Sequence, residues 1–473
     1  MITRDRSLYT SPPDERLLIS CWQEFAPEQE RMMRLWDAYR NKRSILQRKR
    51  EDGLPNNRLA HGFARYIATV TSSYLLGKPV DYQAANGNET ALDAVLEAYK
   101  HSDVQSVDAE LARNAAIFGK GVEIILADED SQPRTASMWP GNAFVVYDDT
   151  VNNKPIFGMY AVEVRDIENK VIGWKVHVLD EQCEYVYDVQ EPGTLGYGEP
   201  EEVTPHWFGV VPIVEYWNNE DEAGDFEQVE PLIDAYDVLE SDRVNDKQQF
   251  VDALLVMTGA RLETDEKGRT PGQQLRQDKI LFLPDSEAKA EYLARSMSDT
   301  DTEVLRASLK EDIHKFSFTP DLSDVNFSGN ASGVAMRYKL FMLEQLIANK
   351  ERWFREALRE RLRAFNNFLS VKGAAEVDVE GVQMIFQRAL PVNDLEVAQT
   401  LSVYAGSGIV PEKMLMAQVP FIDNADEAAE MIQQQRDEAE ARQARAFGAP
   451  EIPDVGKEFP EITEDDEDYP GLE

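Results

Sequence analysis

VEPLIDAYDVLESDRVNDKQQFVDALLVM, residues 229–257, is the stretch on which the fold turns. Its spacing predicts one uninterrupted helix, but only its ends are apolar, and the middle, ESDRVNDKQQ, is nearly all polar. A long helix without a core of its own packs against copies or lies between domains. Downstream, residues 259–297 read as a compact insertion: polar GARLETDEKGRTPGQQ, a strand KILFLP, and a second possible strand AEYLAR. Helical spacing returns over 299–316, with Val304, Leu305, Leu309, Ile313 and Phe316. The order is helix out, small β unit, helix back.

Upstream, ERMMRLWDAYRNKRSILQRKR (30–50) is amphipathic, with Met32, Leu35, Trp36 and Tyr39 at helical spacing. Gly53 and Pro55 interrupt it. A second helix is predicted from Leu59 to Leu76, with Phe63, Tyr66, Ile67, Val70 and Tyr74 on one face, stopped by Gly77 and Pro79. Two more helical patterns cover 90–100 and 105–118. From Gly121 the period becomes that of strands, in GVEIILAD, AFVVYDD, FGMYAVEVRD, VIGWKVHVLD and CEYVYDV. This predicts an antiparallel sheet ending near Trp217, so the first half is α+β.

The longest predicted helix, 333–371, follows the loop in VNFSGNASGVAMRYKL (325–340) and spans roughly 57 Å. Leu340, Leu343, Ile347, Phe354, Leu358, Leu362, Phe365 and Leu369 form its stripe. It carries Arg337, Lys339, Lys350, Arg352, Arg355, Arg359, Arg361 and Arg363 against only four acids. A strand-like VQMIFQRALP and helices to about 445 come next. The composition of DVGKEFPEITEDDEDYPGLE (454–473) predicts disorder.

At 473 residues, 42% hydrophobic, the chain is expected to hold two or more folded parts. Eighty-seven acids against 49 bases leave a formal charge of −38. DNA affinity comes largely from cations on phosphates, so so acidic a chain is a poor DNA gripper. No apolar run reaches the length of a membrane span. MITRDRSLYTSPPDER lacks the apolar region of a secretory signal. Cys21 and Cys183, the only cysteines, make no disulfide framework or thiolate metal site. A soluble chain made in a reducing cytoplasm is expected.

Chemical motifs are weak. A phosphate-binding loop needs a lysine after its last glycine, whereas Gly329 and Gly333 are four apart and Val334 follows. Ser332 reads instead as the N-cap of the long helix. Gly119-Lys120-Gly121 reads as a helix-to-sheet turn. His61, His101, His177, His206 and His314 are scattered, without metal-ligand spacing. Pro284-Asp285 with Glu287-Ala288-Lys289 is too closely spaced to set both carboxylates around one ion. No catalytic residue, metal or cofactor is assigned. A carboxylate-based hydrolase or nuclease stands as an alternative. The basic runs, RNKRSILQRKR (40–50) and the long helix, are expected to pair with acidic surfaces of a neighbouring subunit.

GLPNNRLAHGFARYIATVTSSYLLGKPVDY (53–82) resembles the signature of tailed-bacteriophage portal proteins of the siphophage type, the connectors between head and tail. Its landmarks are Asn56-Asn57-Arg58 and Tyr74, Gly77, Lys78 and Pro79. The resemblance continues through WPGNAFVVYDD (139–149), SGVAMRYKLFMLEQLIANKERWF (332–354) and FQRALPVNDLEVAQTL (386–401). It implies an α+β portal fold assembled as a ring, typically of twelve subunits. It assigns residues 1–228 to a wing, 229–258 and 298–320 to two stem helices, and 259–297 to a clip. It assigns 321–333 to a tunnel loop, 334–371 to a long wing helix and 372–395 to a returning wing strand. Residues 396–447 become a helical crown, and 448–473 an acidic tail. The DNA-facing tunnel-loop residues would be Asn326, Phe327, Ser328, Gly329, Asn330, Ala331 and Ser332. Clip residues Asp265, Glu266, Lys267, Arg269, Arg276 and Lys279 would meet terminase or adaptor. Implied partners are double-stranded DNA in transit, the terminase large subunit, a head-completion adaptor, and major capsid and scaffolding proteins. No membrane is implied, and a capsid-associated structural protein without a channel stands as a further alternative. The implied location is the portal vertex of the virion, with assembly in the host cytoplasm.

Overall fold

A computed structural model describes residues 1–51, 54–84, 89–251, 254–258, 289–293, 299–322, 333–388, 394–416, 419, 422 and 425–446. The chain divides into Met1–Leu390 and Pro391–Glu473.

In the first unit, helix α1 (Glu15–Tyr39) starts at Asp14, whose carboxylate accepts the Arg16 N–H at 2.7 Å. This helix serves two cores. Leu18, Trp22 and Phe25 pack on a sheet with Phe144, Phe157 and Tyr187. Met32 and Leu35, two to three turns on, pack with Ile67, Phe118 and Ile233. The helix stops at Tyr39, so the predicted continuation through 40–50 does not form. Helix α2 (Phe63–Leu76) likewise starts four residues later than its spacing predicts. The reason is that residues 57–61 are held by another helix, as described below.

Helices α3 (Glu89–His101) and α4 (Val104–Phe118) lead into the strands. Gly119 closes α4 at φ +90°, and a Cβ there would lie 1.8 Å from the Glu222 carbonyl oxygen. Only glycine makes this helix-to-sheet turn. The strands are β1 (Ile2–Arg4), β2 (Asp81–Ala84), β3 (Lys120–Ala127), β4 (Pro133–Met138), β5 (Ala143–Asp148), β6 (Pro155–Arg165), β7 (Val171–Leu179), β8 (Cys183–Val189), β9 (Glu202–Pro205) and β10 (Ile213–Trp217). One sheet has the order β1-β5-β6-β7-β8-β9 and another β10-β3-β4. The predicted antiparallel pairing holds from β5 to β9, but β1 joins β5 in parallel, Ile2 opposite Val146.

Helix α5 (Glu230–Val251) ends six residues before the predicted 257. Leu254–Thr258 forms strand β11 instead, antiparallel to β12 (Lys289–Leu293). The run LLVMT suits either element, and its strand partner lies too far along the chain for local periodicity to register. Part of the expected AEYLAR strand is therefore present in β12, whereas KILFLP lies outside the described residues. Helix α6 is Asp299–Phe316 and helix α7 Gly333–Val371. Strand β13 (Val382–Ile385) returns to pair with β2.

Along α7, Leu343, Ile347, Phe354, Leu358, Leu362 and Phe365 are buried in the core beneath α3 and β10. Two cations interrupt this stripe. Arg361 is fully buried, with guanidinium nitrogens 2.6 Å from both Asp108 and Glu123. Glu123 also accepts from the Tyr216 hydroxyl at 2.6 Å and from Thr135. Lys350 is buried against Asp225, which accepts from Thr71 and, at 2.8 Å, from Asn218. A buried charge survives only when paired and hydrogen-bonded in this way.

The second unit, among its described residues, holds helices α8 (Asp394–Ser407), α9 (Glu412–Met416) and α10 (Ala425–Ala446). Val403, Met414 and Met431 are exposed on them, as is Ile409 between the first two.

Candidate functional site

Ile233, Asp237, Ser241 and Asn245 follow each other at four-residue intervals on α5 and are all fully buried. They form one row on the helix surface. At Ile233 the row meets the apolar core; from Asp237 onward it meets main chain. Three alternate amides descend it antiparallel to the helix. The His61 N–H donates to Asp237 Oδ1 at 2.8 Å, that of Leu59 to Ser241 Oγ at 2.9 Å, and that of Asn57 to Asn245 Oδ1 at 2.7 Å. A helix face thus does what a neighbouring strand would do, supplying acceptors to a segment with no sheet to join. The polar middle of α5 is not a face lacking a partner; residues 57–61 cover it.

Side chains tighten the clamp. Asn57 Nδ2 donates to Asn245 Oδ1 and to Gln248 Oε1, both at 2.9 Å. The His61 ring nitrogen Nδ1 lies 2.8 Å from Asp237. Burial pushes the Asp237 carboxyl above its ordinary value, opposed by the bonds from His61. Asn56 donates to the Arg48 carbonyl at 3.1 Å and Arg58 to that of Leu46 at 2.6 Å, which ties 56–58 back to 46–48. Arg43 then reaches Asp234 at 2.8 Å, Arg48 reaches Asp242 at 2.9 Å, and Arg50 also pairs with Asp242. This corrects the expectation for the basic run 40–50: these three arginines pair with α5 of their own chain. The same correction holds for part of α7, where Lys350 and Arg361 are buried and Arg355 and Arg363 pair with Glu351 and Glu360.

Helix α6 lies beside α5. Arg243 bridges to Glu303 at 2.8 Å, and Arg306 to Glu303 at 2.5 Å. Its Ile313 enters the core, while Val304 and Leu305 are exposed. After α6 the chain is tied down again. The Tyr66 hydroxyl donates to the Pro320 carbonyl at 2.7 Å and accepts from the Leu322 N–H at 3.0 Å. The next described residue is Gly333, the first of α7.

Of the sequence-predicted site residues, Asn56, Asn57 and Arg58 lie in the clamp. Tyr74 donates to Glu344 of α7, which Arg388 meets at 3.4 Å. Gly77 ends α2, and Lys78 and Pro79 are exposed beyond it. The loop residues Asn326 to Ser332 lie outside the described residues. So do Asp265, Glu266, Lys267, Arg269, Arg276 and Lys279, together with Asp285 and Glu287, on which a nuclease reading would rest. Sequence reasoning missed Asp237, Ser241 and Asn245 as partners of the Asn-Asn-Arg turn. Their i, i+4, i+8 spacing was the available signal. Among the described residues no group of three or more His, Cys, Asp or Glu is arranged to hold a metal ion, and no helix is long and apolar enough to cross a membrane.

Over residues 17–442 the chain matches the phage portal protein family of the SPP1 Gp6-like type, and it belongs to that family. It is 25% identical over 406 residues to the portal protein of Bacillus phage SPP1, covering 81% of this chain and 77% of that protein. It is 23% identical over 438 residues to the portal protein of Clostridium phage phiCD119, covering 86% and 92%. Among solved structures, it is similar to a chain of the virion of a native gene transfer agent particle (TM-score 0.47, 12% identity, 82% of this chain and 93% of that one). It is also similar to a chain from the neck of an empty particle of that kind computed with C6 symmetry (TM-score 0.45, 13% identity, 76% and 90%). The fold is the α+β portal fold, and the family is structural and not enzymatic.

Proposed function

We propose that this chain, as a member of that family, closes into a ring of about twelve copies at one capsid vertex. Double-stranded DNA passes through the centre, driven in by the terminase large subunit and later released toward the tail. The ring also seats the head-completion adaptor and joins the major capsid and scaffolding proteins during assembly in the host cytoplasm. In this reading α5 and α6 are the stem, residues 259–297 the clip and 321–333 the tunnel loop.

The observation that carries the reading is the family match across residues 17–442. Two physical features agree with it. A formal charge of −38 suits a conduit that DNA passes without sticking, since phosphates find few cations to neutralise them. The expected tunnel loop, 321–333, is tethered at Leu322 and followed by a helix embedded in the core, so a moving segment there would have firm flanks.

Light scattering and electron microscopy of the purified chain test the ring. Twelve copies of 53.7 kDa give on the order of 640 kDa, with a central hole in class averages. A stable monomer at micromolar concentration, or particles without a hole, would overturn the proposal. Deleting Gly329 to Ala331 should leave rings intact and impair DNA packaging; normal packaging removes the loop from the DNA path.

A further inference from the structure

A cavity of about 500 Å³ opens between the two sheets and the end of α7, and none of its lining residues belongs to the α5 clamp. Its floor is apolar, with Phe208 and Phe368 buried. Its lining also includes large apolar side chains that the fold leaves in water: Trp207 at 62% exposure, Val371 at 63% and Leu126 at 44%. Scattered exposed apolar residues are ordinary, but three converging on one cavity mark a binding surface.

Strand β9 contributes Thr204 and Pro205 to the same cavity. It is the last strand of its sheet, bonded only to β8, and all four of its residues are exposed. Among the described residues no strand pairs with its outer edge. An open edge beside an apolar cavity is the geometry that accepts an added strand. The approach is acidic: Glu199, Glu201 and Glu202 are exposed on and just before β9. Inside the cavity Glu184 accepts from His177 at 2.7 Å and from Tyr160 at 3.3 Å through Oε1. Lys372, the one lysine or arginine among the described lining residues, donates to the Ser131 carbonyl at 2.8 Å.

We propose that β9 receives an extended, basic segment of another polypeptide, which adds as a strand and places a large apolar side chain beside Trp207. Main-chain bonds hold the segment, the cavity selects the apolar side chain, and the glutamates select basic flanks. This contact is separate from the channel function and survives if that function is wrong.

The probe is a blocked pentapeptide, lysyl-valyl-phenylalanyl-valyl-lysine amide, observed by saturation-transfer NMR with the full chain. Saturation of the phenylalanine ring is expected, and Trp207→Ala should abolish it. The joint change Glu199→Gln, Glu201→Gln and Glu202→Gln should weaken binding roughly ten-fold, as should replacing both lysines of the probe by glutamate. N-methylation of the two valines should remove binding, because it takes away the strand's donors. No saturation at any soluble concentration overturns the proposal, and so does equal binding of the N-methylated or the glutamate peptide. A change in oligomer size with Trp207→Ala would assign the edge to a second copy of this chain and overturn it too.

Discussion

Helices α5 and α7 are both long, and both bury one continuous row of side chains, but by opposite means. The α7 row is apolar and admits two cations, Lys350 and Arg361, each fastened to buried carboxylates. The α5 row is apolar only at its start and then runs through Asp237, Ser241 and Asn245, each occupied by a main-chain amide. Apolar content therefore does not decide whether a helix face is buried. What decides it is whether each polar side chain on the face finds a partner. On α7 the matching partners are side chains of α4, β3 and the turn before α5; on α5 they are the backbone of one short segment.

The comparison breaks most sharply at Arg361. Replacing it with Met leaves Asp108 and Glu123 buried without their cation and should cost about 3–5 kcal/mol, read by chemical denaturation. A loss within experimental error would mean that the α7 charges are dispensable. A pH profile sharpens the same point. Burial pushes the Asp108 carboxyl up to about 6, against the opposing pull of Arg361. Its folded value thus lies above its unfolded one, so its contribution is full below about pH 4 and is lost as pH rises through 6. The ceiling on that loss is about 3 kcal/mol, and Asp108→Asn should flatten this part of the profile.

On the α5 side, Asn245→Ala deprives both donors of Asn57 of their shared acceptor and should cost about 2 kcal/mol. Ser241→Ala should cost about 1 kcal/mol, with faster hydrogen exchange at the Leu59 amide. If the clamp acts as a unit, the double mutant departs from additivity by more than about 0.5 kcal/mol. The smallest effect belongs to Arg48→Gln, whose partner Asp242 is 37% exposed. About 0.5–1 kcal/mol is expected, shrinking at high salt.

Much of this was legible in the sequence. The strand runs from 121 to 189 and the α7 stripe have strong periods, and the Asn-Asn-Arg turn with its following helix carried the family resemblance. The clamp was not legible, because a turn at 56–58 and a helix nearly 190 residues later meet only in the folded chain. Reading 229–257 as a helix in want of a partner was right about its polar middle. It was incomplete about the partner, since no periodicity marks a segment whose backbone, not its side chains, fills the gap. The start of α2 moved for the same cause: residues 59–61 fit the helical spacing, but the Leu59 and His61 amides are spent on α5. Strand β1 escaped because three residues carry no period at all.

The rungs of the clamp also set its length. Two residues of extended chain advance about 6.6 Å, whereas four residues of helix advance about 6.0 Å. The two rulers therefore slip by about 0.6 Å at each step. Over the two steps from Asp237 to Asn245 the error is about 1.2 Å, which side-chain rotation between Asp, Ser and Asn absorbs. A fourth rung would be out by about 1.8 Å, far beyond what a hydrogen bond tolerates. Helix and segment act as a vernier that reads true over a short span and then must disengage. Chemistry ends the lock at the same places, since Pro55 has no N–H to give and Ile233 no acceptor to offer, so a helix is free to begin on one side and a loop to turn away on the other.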